Sequence, residues 1–124
     1  VAVAKRIEFQ AEKLVGEADH AGGAVVARLV GSASHRDLSA FDHFLAALIA
    51  DSRELGAGTI VLDLRDVAYM NSSHFKSLVS WLGSIAKAEP RLEVTLRANP
   101  NHHWQKRSME ALAHLAAGLV TVET

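Results

Sequence analysis

At 124 residues the chain has room for one domain with a real core, and too few residues to expect a second. Apolar residues make up 49% and charged residues 22%, a balance that excludes an intrinsically disordered chain. With Lys and Arg totalling 13 against 14 Asp and Glu, the formal net charge is −1, so no overall field attracts a phosphate backbone or an anionic membrane.

No apolar run approaches the roughly 20 residues needed to span a bilayer, and the opening "VAVAKRIEFQ" lacks the apolar core and cleavage pattern of a signal peptide. The absence of cysteine excludes disulfides and thiolate metal sites. A soluble cytoplasmic protein with no nucleic-acid or membrane partner is therefore expected. The chain begins at Val1 rather than at methionine, which leaves room for residues upstream.

In chain order, "KRIEFQAE" and "GAVVARLVGS" read as two extended segments. Gly22 and Gly23 before the second suit a hairpin turn, because glycine reaches positive φ at little cost. From Leu38 to Leu55, the apolar residues Leu38, Phe41, Phe44, Leu45, Leu48 and Leu55 recur at helical spacing, and Gly56 and Gly58 stop the helix. "TIVLDL" is a nearly continuous apolar run of strand length, the pattern of a central strand covered on both faces. Phe75, Leu78, Val79, Leu82, Ile85 and Ala86 then predict a second helix, ended after Glu89 by Pro90. "LEVTLRA" predicts a strand, "NPNHH" a turn, Trp104 to Ala117 a third helix before Gly118, and "LVTVET" a last strand. Two early strands followed by alternating helices and strands predict an α/β domain. Its sheet is mixed and mostly parallel, with right-handed crossovers joining the later strands.

Asn71, Ser72 and Ser73 stand at a strand-to-helix junction, where any of them can accept hydrogen bonds from the free N–H groups of the first turn, worth roughly 1 kcal/mol. The same helix N-terminus tolerates added negative charge, so a phosphorylated serine there is compatible with the fold. A serine hydrolase would need a nucleophile elbow, and "NSSHF" lacks its glycines. Seven histidines invite a metal, yet the adjacent His102 and His103 cannot share a helix face and no HExxH-like spacing occurs. No metal or other cofactor is expected. Asp63 and Asp66 lie on or just after the strand and are expected to bond backbone groups at its end. Trp81 falls off the main apolar stripe, which leaves either a contact surface or burial at the helix flank.

"VVARLVGS", an amphipathic helix and "TIVLDLRDVAYMNSSHFKSLVSWL" together resemble the STAS domain family, named for sulphate transporters and anti-sigma factor antagonists. That family shows a strand of pattern rl.G.l, a helix, and vvlDLs.V.fiDSSGl..L. The best-matched residues are Leu62-Asp63-Leu64, Val67, Tyr69-Met70 and Ser72-Ser73, with Leu78 in the following helix, and matching elements run from about Val25 to Val122. The resemblance implies a single STAS-like domain and a non-enzymatic switch. In single-domain members the second serine is phosphorylated by a partner kinase that is also an anti-sigma factor. The unphosphorylated form captures that kinase, and a serine phosphatase resets it. By position, Ser73 is then the phosphoacceptor. Asn71, Ser72, His74, Lys76 and Trp81 are the expected partner-binding residues. Two positions depart from the pattern: Asn71 replaces the usual Asp, and His74 replaces the usual Gly. The alternative is a STAS-like module whose helix N-terminus holds a nucleotide or another small anion. Homo-oligomerisation is left open.

Overall fold

The computed structural model describes residues 7–87 and 91–124. Lys5 and Arg6 of the first expected strand, and the helix stop at Glu89 and Pro90, lie outside the described residues. The elements are β1 (Ile7–Ala11), β2 (Leu14–Ala21), β3 (Ala24–Ala33), α1 (Ser39–Leu55), β4 (Thr59–Met70), α2 (Ser72–Ala86), β5 (Glu93–Arg97), α3 (His103–Leu115) and β6 (Val120–Glu123). They form one six-stranded sheet in which spatial order equals chain order, β1-β2-β3-β4-β5-β6. β1, β2 and β3 form an antiparallel meander, and β3 to β6 run parallel. The α/β expectation holds, with a mixed sheet and three packed helices.

Three strands, not two, precede α1. The segment "LVGEADHA" is β2, and it is the partner to which the hairpin at Gly22 (φ 56°) and Gly23 (φ 82°) returns. Its sequence is a poor strand former because two of its three buried positions, after Leu14, are Gly16 and Ala18. Packing demands that smallness: a Cβ on Gly16 would come within 2.6 Å of Leu29 Cδ2.

Because successive parallel strands step in one direction, right-handed crossovers place all three helices on one face of the sheet. The core is accordingly single. Leu14, Val25, Leu29, Ile60, Leu62, Leu64, Val94 and Leu96 of the sheet pack with Phe41, Leu45 and Leu48 of α1, Leu78 and Ile85 of α2, and Met109 and Leu112 of α3. The expectation that "TIVLDL" is covered on both faces holds in burial, since Ile60 to Leu64 are all buried, although the helices lie on one face only. Val61 and Asp63 alternate away from the core cluster and are 8% and 4% exposed, and Asp63 is paired with Arg65 of the same strand. On that face the register aligns Glu8, Glu17, Arg28, Asp63, Arg97 and Glu123, one residue per strand. The members of this row other than Asp63 are exposed or half-exposed, and buried Asp63 is ion-paired with Arg65.

β4 runs on to Met70, well beyond the expected "TIVLDL", because β3 continues beside it past two register shifts until Ala33 pairs Met70. That extension sets the N-terminus of α2 beside the end of β3, and Asn71 N–H donates to Ala33 O at 2.9 Å.

Candidate functional site

The first turn of α2 is fixed by Asn71. Its backbone is extended (φ −76°, ψ 167°), and its Oδ1 accepts the His74 N–H at 2.9 Å, an N-cap interaction. Asn71 O accepts Phe75 N–H at 3.1 Å, the first helical bond. The cap thus belongs to Asn71, one of the residues the sequence nominates. Ser72 and Ser73, next along the chain, are both exposed. Neither hydroxyl is needed to close the helix end.

His74 takes the opposite position. It is fully buried, with its ring centroid 4.8 Å from that of Phe41 and edge-on to it. As a partner-binding candidate it is withdrawn, because a side chain with no exposed surface cannot touch a partner. The periodicity that sends Leu78, Leu82 and Ile85 inward also sends His74 inward. In place of glycine, then, the chain carries a ring that serves as part of the core.

Buried polar atoms require partners, and His74 finds two. Its Nδ1 lies 2.6 Å from Asn71 Oδ1, and its Nε2 lies 3.1 Å from His35 Nε2. His35, on the connection between β3 and α1, is 3% exposed. Asn71 Nδ2 donates back to the His35 backbone carbonyl at 3.3 Å, which closes a ring of three residues. The amide orientation is determined by its contacts, because Oδ1 must accept the His74 N–H while Nδ2 donates to His35 O. His74 Nδ1 therefore carries a proton, its Nε2 accepts, and His35 Nε2–H donates. Burial and the neighbouring His35 pull the His74 imidazole down to about 4, so it is neutral at pH 7. Sequence reading misses His35 altogether. The one hint is that a histidine in a glycine position has to satisfy two ring nitrogens somewhere.

Beside Ser73 a groove of about 440 Å³ runs between α1 and α2. Leu38, Asp42 and Ile49 form one wall, Ser73, Lys76 and Ser80 the other. Trp81 is buried at the helix flank, the second of its two expected placements: it is 5% exposed and its Nε1–H donates to Leu45 O at 2.8 Å. Of the residues nominated from sequence, Ser72, Ser73 and Lys76 are exposed, Asn71 is half-buried as the cap, and His74 and Trp81 are buried.

Asp63 does bond a backbone group, accepting Arg65 N–H at 3.1 Å, and also takes the Arg65 guanidinium through Nε at 3.0 Å and Nη2 at 2.8 Å. Burial pushes the Asp63 carboxyl up, but the Arg65 hydrogen bonds and charge outweigh it, and the carboxyl lies below its ordinary range. Asp66 instead pairs with Arg28 across the sheet. Gln105, also missed from sequence, is fully buried and fastens α3 to the end of β4, donating to Leu64 O at 2.6 Å and Val67 O at 3.0 Å. Among the described residues no group of three or more His, Asp or Glu converges as metal ligands. No described helix is long and apolar enough to cross a membrane.

No protein-family model matches the chain, and no curated protein matches it. Its structure does match the crystal structure of an anti-sigma factor antagonist from Mycobacterium paratuberculosis, with a TM-score of 0.64 over 82% of this chain and 80% of that one. The chain has the fold of that antagonist. Sequence identity is 17%, so the likeness is one of fold, and it agrees with the fold implied by the STAS resemblance.

Proposed function

We propose that this STAS-fold chain is a non-enzymatic protein-binding switch of the anti-sigma factor antagonist type, with Ser73 as its phosphoacceptor. The observation that carries the reading is the division of labour in the first turn of α2. Asn71 makes the cap and His74 enters the core, while Ser73 is exposed at the head of the α1–α2 groove. A phosphate there would meet the positive end of the helix dipole, so the fold tolerates it, while about −1.5 to −2 charges are added to the docking surface. The partner is a serine kinase of anti-sigma type, and a serine phosphatase reverses the mark. Ser72, Ser73 and Lys76 form the exposed part of the contact.

The test combines phosphosite mapping with capture by wild type, Ser73→Ala and Ser73→Asp. Phosphate on Ser73, a kinase-like partner retained by Ser73→Ala, and weaker capture by Ser73→Asp are expected. Phosphate on another residue with Ser73→Ala labelled normally would overturn the assignment. Stability of Ser73→Ala should lie within roughly 1 kcal/mol of wild type, since the cap is made elsewhere.

A further inference from the structure

The His35–His74–Asn71 ring joins the two segments that flank Ser73, the β3–α1 connection and the first turn of α2, and it does so with a fixed order of protons. His74 Nδ1–H donates to Asn71, and His35 Nε2–H donates to His74 Nε2. His35 Nδ1 then bears no proton, which agrees with its being buried without a hydrogen-bond partner among the described residues. We propose that this ring is a proton-operated latch, closed while the His74 imidazole is neutral and opened when it takes up a proton, which releases the turn of α2 that carries Ser73.

The physical reason is that no protonated form of the pair satisfies every N–H. A proton on His74 Nε2 removes the acceptor that His35 Nε2–H requires, and two donors then face each other at 3.1 Å. If His35 moves its own proton to Nδ1, that N–H is buried with nothing described to receive it. Either arrangement leaves a buried donor unpaired, and opening to water relieves it. Asp37 on the same connection is committed to the Ser39 N–H, which it accepts at 2.9 Å, and Asp42 on α1 acts on His74 in the direction that favours its protonation. The adjoining Arg36 and Lys76 are exposed cations, and apolar Phe41 packs against the His74 ring. An aspartate in place of Asn71 could not donate to His35 O, so the neutral cap and the buried histidine form one device.

The latch rests on the switch reading of Ser73 for its consequence only. Nitrogen-15 spectra of the wild-type imidazoles at neutral pH should show His74 protonated on Nδ1 and His35 on Nε2. A His74 proton on Nε2 overturns the ring. Hydrogen exchange then tests the opening. The His74 amide, bonded to Asn71, should lose about thirtyfold in protection between pH 7.5 and pH 5, the factor set by a group that titrates near 4 when closed and near 6.5 when open. Its exchange at pH 5 should be independent of sub-denaturing urea and faster than that of Leu62 in the core, the signature of local opening. Constant protection, or a urea dependence shared with Leu62, overturns the latch. A folded His74→Gln variant should show no such pH dependence at Phe75, and persistence of it there also overturns the proposal. Failure to find phosphate on Ser73 would remove the switch reading and leave all of these measurements standing.

Discussion

The indole Nε1–H of Trp81 on α2 donates to the main-chain oxygen of Leu45 on α1 at 2.8 Å, so the two helices that bound the Ser73 groove are joined by a buried hydrogen bond as well as by packing. Trp81→Phe should cost roughly 1–2 kcal/mol for the lost bond and the smaller ring, and Trp81→Ala roughly 3–5 kcal/mol. Urea unfolding followed by far-ultraviolet dichroism measures both. A neutral Trp81→Phe would mean that the hydrogen bond contributes nothing.

Asn71 both caps α2 and receives the His74 ring, and the two roles separate by substitution. Asn71→Ala removes the cap and strands a buried imidazole N–H, with an expected loss of roughly 2–4 kcal/mol. Asn71→Asp keeps the acceptor and places a charge beside the ring, which favours the imidazolium. His74, held down to about 4 in the wild type, should then titrate at clearly higher pH in proton spectra. An unchanged His74 titration would show that residue 71 does not act on the ring.

His74 also predicts how stability follows pH. Its imidazole is depressed to about 4 from an ordinary 6.5, so between those values the unfolded chain binds a proton that the folded chain does not. Its contribution is complete above about pH 6.5, shrinks as pH falls towards 4, and is worth about 3 kcal/mol over the whole span. Asp37 and Asp63, held below the ordinary 3.8, add their own losses only at still lower pH. Unfolding in urea at several pH values should therefore show a decline that begins near pH 6.5. A flat profile down to about pH 5 would contradict the burial of a neutral His74.

The charged face offers a contrast between two ion pairs. Arg28 and Asp66 are about half exposed, at 55% and 46%, so Arg28→Ala should change stability by no more than roughly 0.5 kcal/mol. Asp63 is 5% exposed at the side chain and holds both the main chain and the guanidinium of Arg65, so Asp63→Ala should cost roughly 1–3 kcal/mol. Equal effects at the two positions would argue that burial does not set the worth of these pairs.

Much of the architecture was legible because it is written locally. The helical spacing of Phe41, Phe44, Leu45 and Leu48, the glycines of the hairpin and the Asn-Ser-Ser junction each need only a few neighbouring residues to act. The STAS resemblance is of the same kind, a string of adjacent positions. β2 was not legible, since the reason for Gly16 is a leucine on another strand. The surroundings of Asp63 were hidden too, because register decides that it joins a charged row rather than the apolar core.

By itself the sequence determined the three helices, every strand but β2, and the serines at a helix N-terminus, all consequences of periodicity, turn chemistry and capping over short spans. Tertiary structure alone decided what lies beneath those serines. His35 and His74 are 39 positions apart, and nothing in either local sequence points to the other. They meet because parallel pairing carries β4 to the end of β3, which sets the first turn of α2 against the β3–α1 connection. Once buried together, two imidazoles and one amide have a single proton order that satisfies the ring, so the chemistry under Ser73 is a product of the fold.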